Sequence, residues 1–271
     1  MCLDSDMTEL IELRDLALKI AREAGDLLSD RPKKFDLSEK SGALDFATQM
    51  DQASEELITN RIKKIRPDDS ILGEEGATKS GSSEFTWVVD PIDGTVNYLY
   101  GVPGWCISIA IKQGDSVVVG VVHAPTLGKT WSAVLNQGAE CNGEAIKCNE
   151  PIPLSKSLVG TGFSYDLESR FAQGEFFSNL IKRIRDIRRL GACAVDICLV
   201  ASGVLDAYYE AGVYEWDFAA AGLIAREAGA NFLAVPLIPS GAQNFVLVAG
   251  PTLYRELGQE LITDGRWIKA I

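Results

Sequence analysis

DPIDGTVNYLYG, Asp90 to Gly101, follows the apolar run Phe85-Thr86-Trp87-Val88-Val89. β-Branched and aromatic residues running into paired acids read as a strand that delivers Asp90 at its end. Pro91 has no N–H to give a ladder, so the spacing predicts that the chain turns out of the sheet there. Asp93 then turns back toward the same point as Asp90, and the Ile92 carbonyl faces it too. Three such oxygens suit a hard divalent cation, Mg²⁺ above all. Gly94 and Thr95 begin a helical turn whose free N–H groups can grip a phosphate oxygen. An Asp-Pro-x-Asp-Gly segment is also a good β-turn, so these residues by themselves leave both readings open.

The 271 residues, 46% hydrophobic and 24% charged, suffice for a sizeable core. A formal charge of -12 disfavours direct contact with nucleic acid. The most basic stretch, KRIRDIRR from Lys182 to Arg189, reads as a solvated helix face. The six cysteines form no CxxC pair and no close-spaced framework, which points to a reducing cytoplasm. The N-terminus is acidic where a signal peptide is basic, and no run approaches a membrane span. The single histidine, His123, lies in an apolar run and reads as structural, which disfavours Ser-His-Asp and histidine-metal chemistry.

Helical periodicity covers Thr8 to Asp30 and stops at Pro32; a second helix runs from Gln49 to Ile65 and ends at Pro67. The intervening RPKKFDLSEKSGALDFAT reads as a loop or weak hairpin. Strands are expected at 70–72, 85–89, 107–111 and 117–122, with a hairpin turn at Gln113-Gly114-Asp115 and a further strand in TWSAVLNQGAECNG. After Pro153, strands at 158–162, 205–210 and 245–249 alternate with helices at 168–185, 194–202, 217–228 and 251–263. This describes a layered α/β or α+β sandwich, 1–153 and 154–271 forming the halves of one functional unit.

Acids gather outside the opening stretch as well. Asp51 opens the second helix, Glu74-Glu75 follow a strand in SILGEEG, Glu210 closes AYYE, and Asp217 stands at a helix start in EWDFAAAG. Helix capping also accounts for Asp51 and Asp217, and solvated loop charge for Glu74, Glu75 and Glu210.

GEE, WVVDPIDGTVNY and WDFAAAGLIAREAG together resemble the inositol monophosphatase family, the lithium-sensitive Mg²⁺-dependent sugar phosphatases. KSGALDFATQMD, VGVVHAPTLGKTW, GAECNGEAI and LVASGVLDAYYE extend the resemblance over nearly the whole chain. It implies a five-layered αβαβα sandwich, dimeric, with two or three Mg²⁺ ions per subunit at the seam between the halves. Glu74, Asp90, the Ile92 carbonyl, Asp93 and Asp217 match metal ligands. Asp51 and Thr95, together with Glu74, match the group that handles the attacking water. Lys40, Gly94, Ala192, Cys193 and Glu210 match substrate or phosphate contacts, Glu210 reaching a substrate hydroxyl. Cys193 stands where the family more often has a small residue such as Ala, and ANFLAVPLIPSGAQNF lacks the usual glycine-proline turn.

The resemblance implies in-line hydrolysis of a small phosphate monoester, inositol 1-phosphate first. Histidinol phosphate, fructose 1,6-bisphosphate or a phosphorylated nucleotide are the alternatives within the same chemistry. A regulatory partnership with RNA machinery, through protein contacts, is the alternative of a different class.

Overall fold

The computed structural model describes residues 2–42, 45–237 and 242–263. Helix α1 (Cys2–Ser29) begins before Thr8 and buries Leu13, Ala17, Ile20, Ala24 and Leu28 on one stripe, the three- and four-residue spacing of an amphipathic helix. The hairpin β1 (Leu37–Gly42) and β2 (Asp45–Thr48) leads into α2 (Gln49–Ile65). Thr48 caps α2: its hydroxyl accepts from the Met50 N–H, and Asp51 accepts in return from the Thr48 N–H at 2.8 Å.

The larger sheet uses β3 (Ser70–Gly73), β4 (Thr78–Lys79), β5 (Phe85–Asp93), β6 (Cys106–Gln113), β7 (Ser116–Ala124), β8 (Lys129–Val134), β9 (Ala139–Cys141) and β10 (Glu144–Ala145). Its order is β10-β9-β8-β7-β6-β5-β3-β4, antiparallel except where β3 runs parallel to β5. A short helix, α3 (Thr95–Tyr100), separates β5 from β6. Downstream come β11 (Leu158–Thr161), α4 (Leu167–Leu180), β12 (Asp186–Arg188), α5 (Cys193–Ala201), β13 (Ala207–Val213), α6 (Glu215–Glu227), β14 (Asn231–Pro236), β15 (Asn244–Ala249) and α7 (Pro251–Thr263). The second sheet has the order β12-β11-β13-β15-β14.

Three buried apolar clusters show how these elements stack. Ile20, Ile58 and Ile62 of α1 and α2 meet Trp87, Val89 and Val119 on one face of the larger sheet. Val88 and Val122, on its other face, join Ile197, Val200 and Ile224 of α5 and α6, and Val246 and Val248 of the second sheet. Phe245 and Leu247 pack outward against Leu253 and Leu257 of α7, with Phe176 of α4. Val88 and Val89, like Leu247 and Val248, enter different clusters because successive strand residues point to opposite faces. With apolar partners on both faces of both sheets, the layers run αβαβα, as expected. α6 rides directly on β7: a Cβ at Gly120 would lie 2.4 Å from the Ala220 carbonyl oxygen.

Four local expectations are corrected. β5 does not end at Val89; it continues through Asp93 by means of a bulge, in which Asp90 faces Ser108 and Asp93 faces Cys106. The missing N–H of Pro91 interrupts the ladder without expelling the chain. KRIRDIRR is no helix face: α4 stops at Leu180, and Asp186–Arg188 pair with β11 because the alternation of Asp186, Ile187 and Arg188 fits an edge strand. Glu210 lies within β13 rather than at its end. β14, absent from the sequence reading, pairs with β15 along its length.

Candidate active site

A cleft of about 1040 Å³ opens between β5 of the larger sheet, β13 of the second sheet and the starts of α5 and α6, and its wall includes Glu74, Asp90, Ile92, Asp93, Gly94, Thr95, Cys193, Glu210 and Asp217. Most arrive at the end of an element or at the β5 bulge, whereas Glu210 comes from within β13. Glu74 follows β3, its N–H bonded to the Val89 carbonyl at 3.1 Å. Asp90 and Asp93 flank the β5 bulge, and Asp217 sits in the first turn of α6, where it accepts from the Tyr214 N–H at 2.7 Å. Asp217 therefore caps its helix, as the structural reading of the sequence allowed, while also lining the cleft.

Asp93 spans the two halves of the chain. Its Oδ1 accepts from the Cys193 N–H at 3.1 Å and its Oδ2 from the Ala194 N–H at 2.7 Å, both at the start of α5. Burial pushes its carboxyl up to about 7 even though these amides pull it down. Asp90 is raised well above the ordinary aspartate range, first by burial and then by the charge of Glu74, and its carboxyl shares a hydrogen bond with Glu74. Asp217 is raised by desolvation in the cleft and by Glu74. Carboxylates this close hold protons because their charges cannot all ionise without compensation.

Those donors fit a hard divalent cation in chemistry: all are oxygens, drawn from carboxylates and the Ile92 carbonyl, in a desolvated setting where a cation can take the place of shared protons. Among the described residues, no three His, Cys, Asp or Glu side chains already stand in an ion-holding arrangement.

Thr95 begins α3, immediately after Gly94, whose φ of 89° is left-handed. The position has no room for a side chain either, since a Cβ would lie 3.1 Å from both the Ala192 methyl and the Gly191 carbonyl oxygen. The first ladder bond of α3 runs from the Tyr98 N–H to the Gly94 carbonyl, so the N–H groups of residues 95–97 precede it. The Thr95 hydroxyl lies 3.1 Å from both Asp51 Oδ1 and the Ile92 carbonyl oxygen, so its one proton has two acceptors within reach. Asp51 is fully buried behind Thr95, its other oxygen tied to the Thr48 hydroxyl at 2.6 Å.

Of the expected substrate contacts, Cys193 and Glu210 line the cleft, whereas Ala192 packs behind the Gly94 turn and does not. Its place as the residue before α5 turns its methyl inward. The side chain of Lys40 lies outside the described residues. His123 is structural as expected, its Nδ1 2.9 Å from the Thr130 hydroxyl and its ring against Gly25.

Two further residues shape the site. Glu55, one helical turn beyond Asp51 on α2, accepts from the Glu75 and Ala77 N–H groups at 2.9 Å and so holds the loop that carries Glu74. The four-residue spacing from Asp51 was its only signal. Arg189 is the one basic residue among the described residues of the cleft wall; desolvation raises the Glu210 carboxyl above its usual range, and the Tyr208 hydroxyl and then the Arg189 charge pull it back down. It was hidden at the end of a run that read as surface charge.

The model for the inositol monophosphatase family matches residues 9–261. The chain is 39% identical over 269 residues to the inositol-1-monophosphatase SuhB of Mycobacterium tuberculosis, covering 92% of this chain and 93% of that one. It is 38% identical over 221 residues to the Nus factor SuhB of Pasteurella multocida, covering 79% and 82%. The solved structure of a Thermotoga maritima IMPase superposes with a TM-score of 0.83 at 32% identity, over 93% of this chain and 98% of that one. Among the described residues no helix is long and apolar enough to cross a membrane.

Proposed function

The chain belongs to the inositol monophosphatase family, and we propose that it is a Mg²⁺-dependent phosphate monoester hydrolase whose preferred substrate is inositol 1-phosphate. One observation carries the reading: Glu74, Asp90, Asp93 and Asp217 share a cleft wall with Thr95, which is hydrogen-bonded to the buried Asp51.

Glu74, Asp90, the Ile92 carbonyl, Asp93 and Asp217 would hold two or three Mg²⁺ ions, which supply Lewis acidity toward the phosphoryl group and the attacking water. The N–H groups at the start of α3 receive the phosphate. The Thr95 hydroxyl, its proton directed to Asp51, accepts a hydrogen bond from water and holds it in line; Asp51 is the acceptor behind it. Glu74, on the same wall, completes the catalytic group. Glu210 and Cys193 border the alcohol, and Lys40 belongs near the phosphate. Water attacks phosphorus as the P–O bond to the alcohol breaks; one water proton ends on the leaving alkoxide oxygen and the other stays on the phosphate, giving inositol and inorganic phosphate.

The metal donors do not choose the alcohol, so histidinol phosphate, fructose 1,6-bisphosphate and a phosphorylated nucleotide belong in the same assay. Lithium sensitivity, a homodimer, a cytoplasmic location and joint action of residues 1–153 and 154–271 complete the proposal. The Nus-factor name of the P. multocida relative favours a second reading, a partner of the RNA machinery that retains phosphatase activity. The formal charge of -12 directs such a role toward protein rather than nucleic-acid contact. Release of inorganic phosphate from a panel of monoesters, with Mg²⁺ and with EDTA, tests the main reading. Absence of Mg²⁺-dependent release from every ester would overturn it.

A further inference from the structure

β11 and β13 run parallel, with Gly160 opposite Tyr208 and Thr161 opposite Tyr209. Tyr208 and Glu210 leave the same face of β13 because strand side chains alternate. Beneath them on the β11 side lie Gly160 and, one residue past the strand end, Gly162. A Cβ at Gly160 would come within 3.1 Å of the Tyr208 ring. A Cβ at Gly162 would lie 1.9 Å from Glu210 Oε1 and 2.1 Å from Oε2, so the carboxylate rests flat on a bare α-carbon. Neither glycine has a positive φ. Their missing side chains therefore serve space, not backbone freedom.

Tyr208 is fully buried, and its hydroxyl donates to Glu210 Oε2. The Cys193 thiol lies within hydrogen-bonding reach of the same hydroxyl. Burial holds the phenol well above its usual range, so it stays protonated and remains a donor. The Glu210 carboxylate is thus gripped from one side and supported from below before any substrate arrives. The Tyr208 bond takes Oε2, and a carboxylate offers acceptor sites on both oxygens, so Oε1 can accept from a ligand hydroxyl.

We infer that Tyr208 is a positioning residue that, with the floor formed by Gly160 and Gly162, fixes Glu210 to accept a hydroxyl of a polyol phosphate and so selects polyol esters over simple ones. The inference rests on the phosphatase reading above and adds the device that sets its alcohol preference. An orientation fixed in advance spares the ordering of a flexible side chain on binding, and a site built around a hydroxyl discriminates against esters that lack one.

The test compares kcat/KM for myo-inositol 1-phosphate and for p-nitrophenyl phosphate, both with Mg²⁺, in the full-length protein. Tyr208→Phe lowers the ratio of the two by about tenfold, the equivalent of one hydrogen bond to a charged group, chiefly through KM for the inositol ester. Combined with Glu210→Gln it lowers the ratio no further than Glu210→Gln alone. Gly162→Ala, which pushes the carboxylate off its floor, gives the same change and decides the matter if Tyr208→Phe does not fold by circular dichroism. An unchanged ratio in the folded variants, or losses at Tyr208 and Glu210 that multiply, overturns the inference and leaves the phosphatase reading standing. A wild-type protein inert on both esters sinks that reading, and this inference with it.

Discussion

Replacing Asp93 by asparagine removes a charge and half of a double acceptor at once, and the two effects oppose each other. Raising this carboxyl from an ordinary 3.8 to about 7 means that above pH 7 its ionised form costs the metal-free fold on the order of 4 kcal/mol, at about 1.4 kcal/mol per pKa unit. The neutral amide relieves that cost. The Cys193 and Ala194 N–H groups bond to different oxygens of Asp93, and an amide offers one oxygen, so one buried N–H loses its acceptor at about 1–3 kcal/mol. The balance is a metal-free variant more stable by about 1–3 kcal/mol, or roughly 2–6 °C in Tm. Thermal melts followed by circular dichroism at pH 8 in EDTA measure it. Repeating them in Mg²⁺ should raise the wild-type Tm and barely move that of the variant, because a neutral amide is a poor donor for a hard cation. Turnover should be lost. Near wild-type turnover at saturating Mg²⁺ would refute the assignment of Asp93 to the metal; a variant that melts well below wild type in EDTA would refute the charge balance.

Thr95→Ala and Asp51→Asn should each cut turnover strongly, and the double variant should be little worse than the poorer single one, since the pair works as a unit; losses that multiply would separate the two residues. Desolvation raises Asp90, Asp93 and Asp217 together, so the folded state binds more protons than the unfolded one above the ordinary aspartate range. Metal-free stability should therefore fall as pH rises from about 4 through 7, and the Mg²⁺-induced gain in Tm should be larger at pH 8 than at pH 5; a metal-free Tm that climbs across this range contradicts the assignment. Gly120→Ala drives a methyl toward the Ala220 carbonyl oxygen, 2.4 Å from the new carbon, and should lower stability by about 1–3 kcal/mol as an overpacked core does, read as a lower urea midpoint.

Much of this architecture can be read directly from the residues. α2 begins and ends at the expected positions because Thr48, Asp51 and Pro67 punctuate it locally, and the β6–β7 hairpin follows from Gly114 between two apolar runs. Features set by partners distant in the chain are harder to read. The bulge at Pro91 depends on pairing with β6, and β12 and β14 gain their strand character from β11 and β15. The cleft acids were visible as acids next to element ends. What the sequence leaves unseen is how they are held: Asp93 by amides a hundred residues away, the Glu74 loop by Glu55, and Glu210 by Tyr208.

Asp93 also places a condition on biosynthesis. Residue 93 leaves the ribosome long before the α5 amides that it accepts from and the α6 helix that carries Asp217. A nascent chain ending near residue 153 thus has the β5 acids crowded together with neither their distant donors nor their last carboxylate neighbour. Until those elements arrive the acids face solvent, where their charges are screened. The desolvation that raises them is imposed only when the second half docks against the larger sheet, so the cleft acquires its strained charge state in the step that completes the fold.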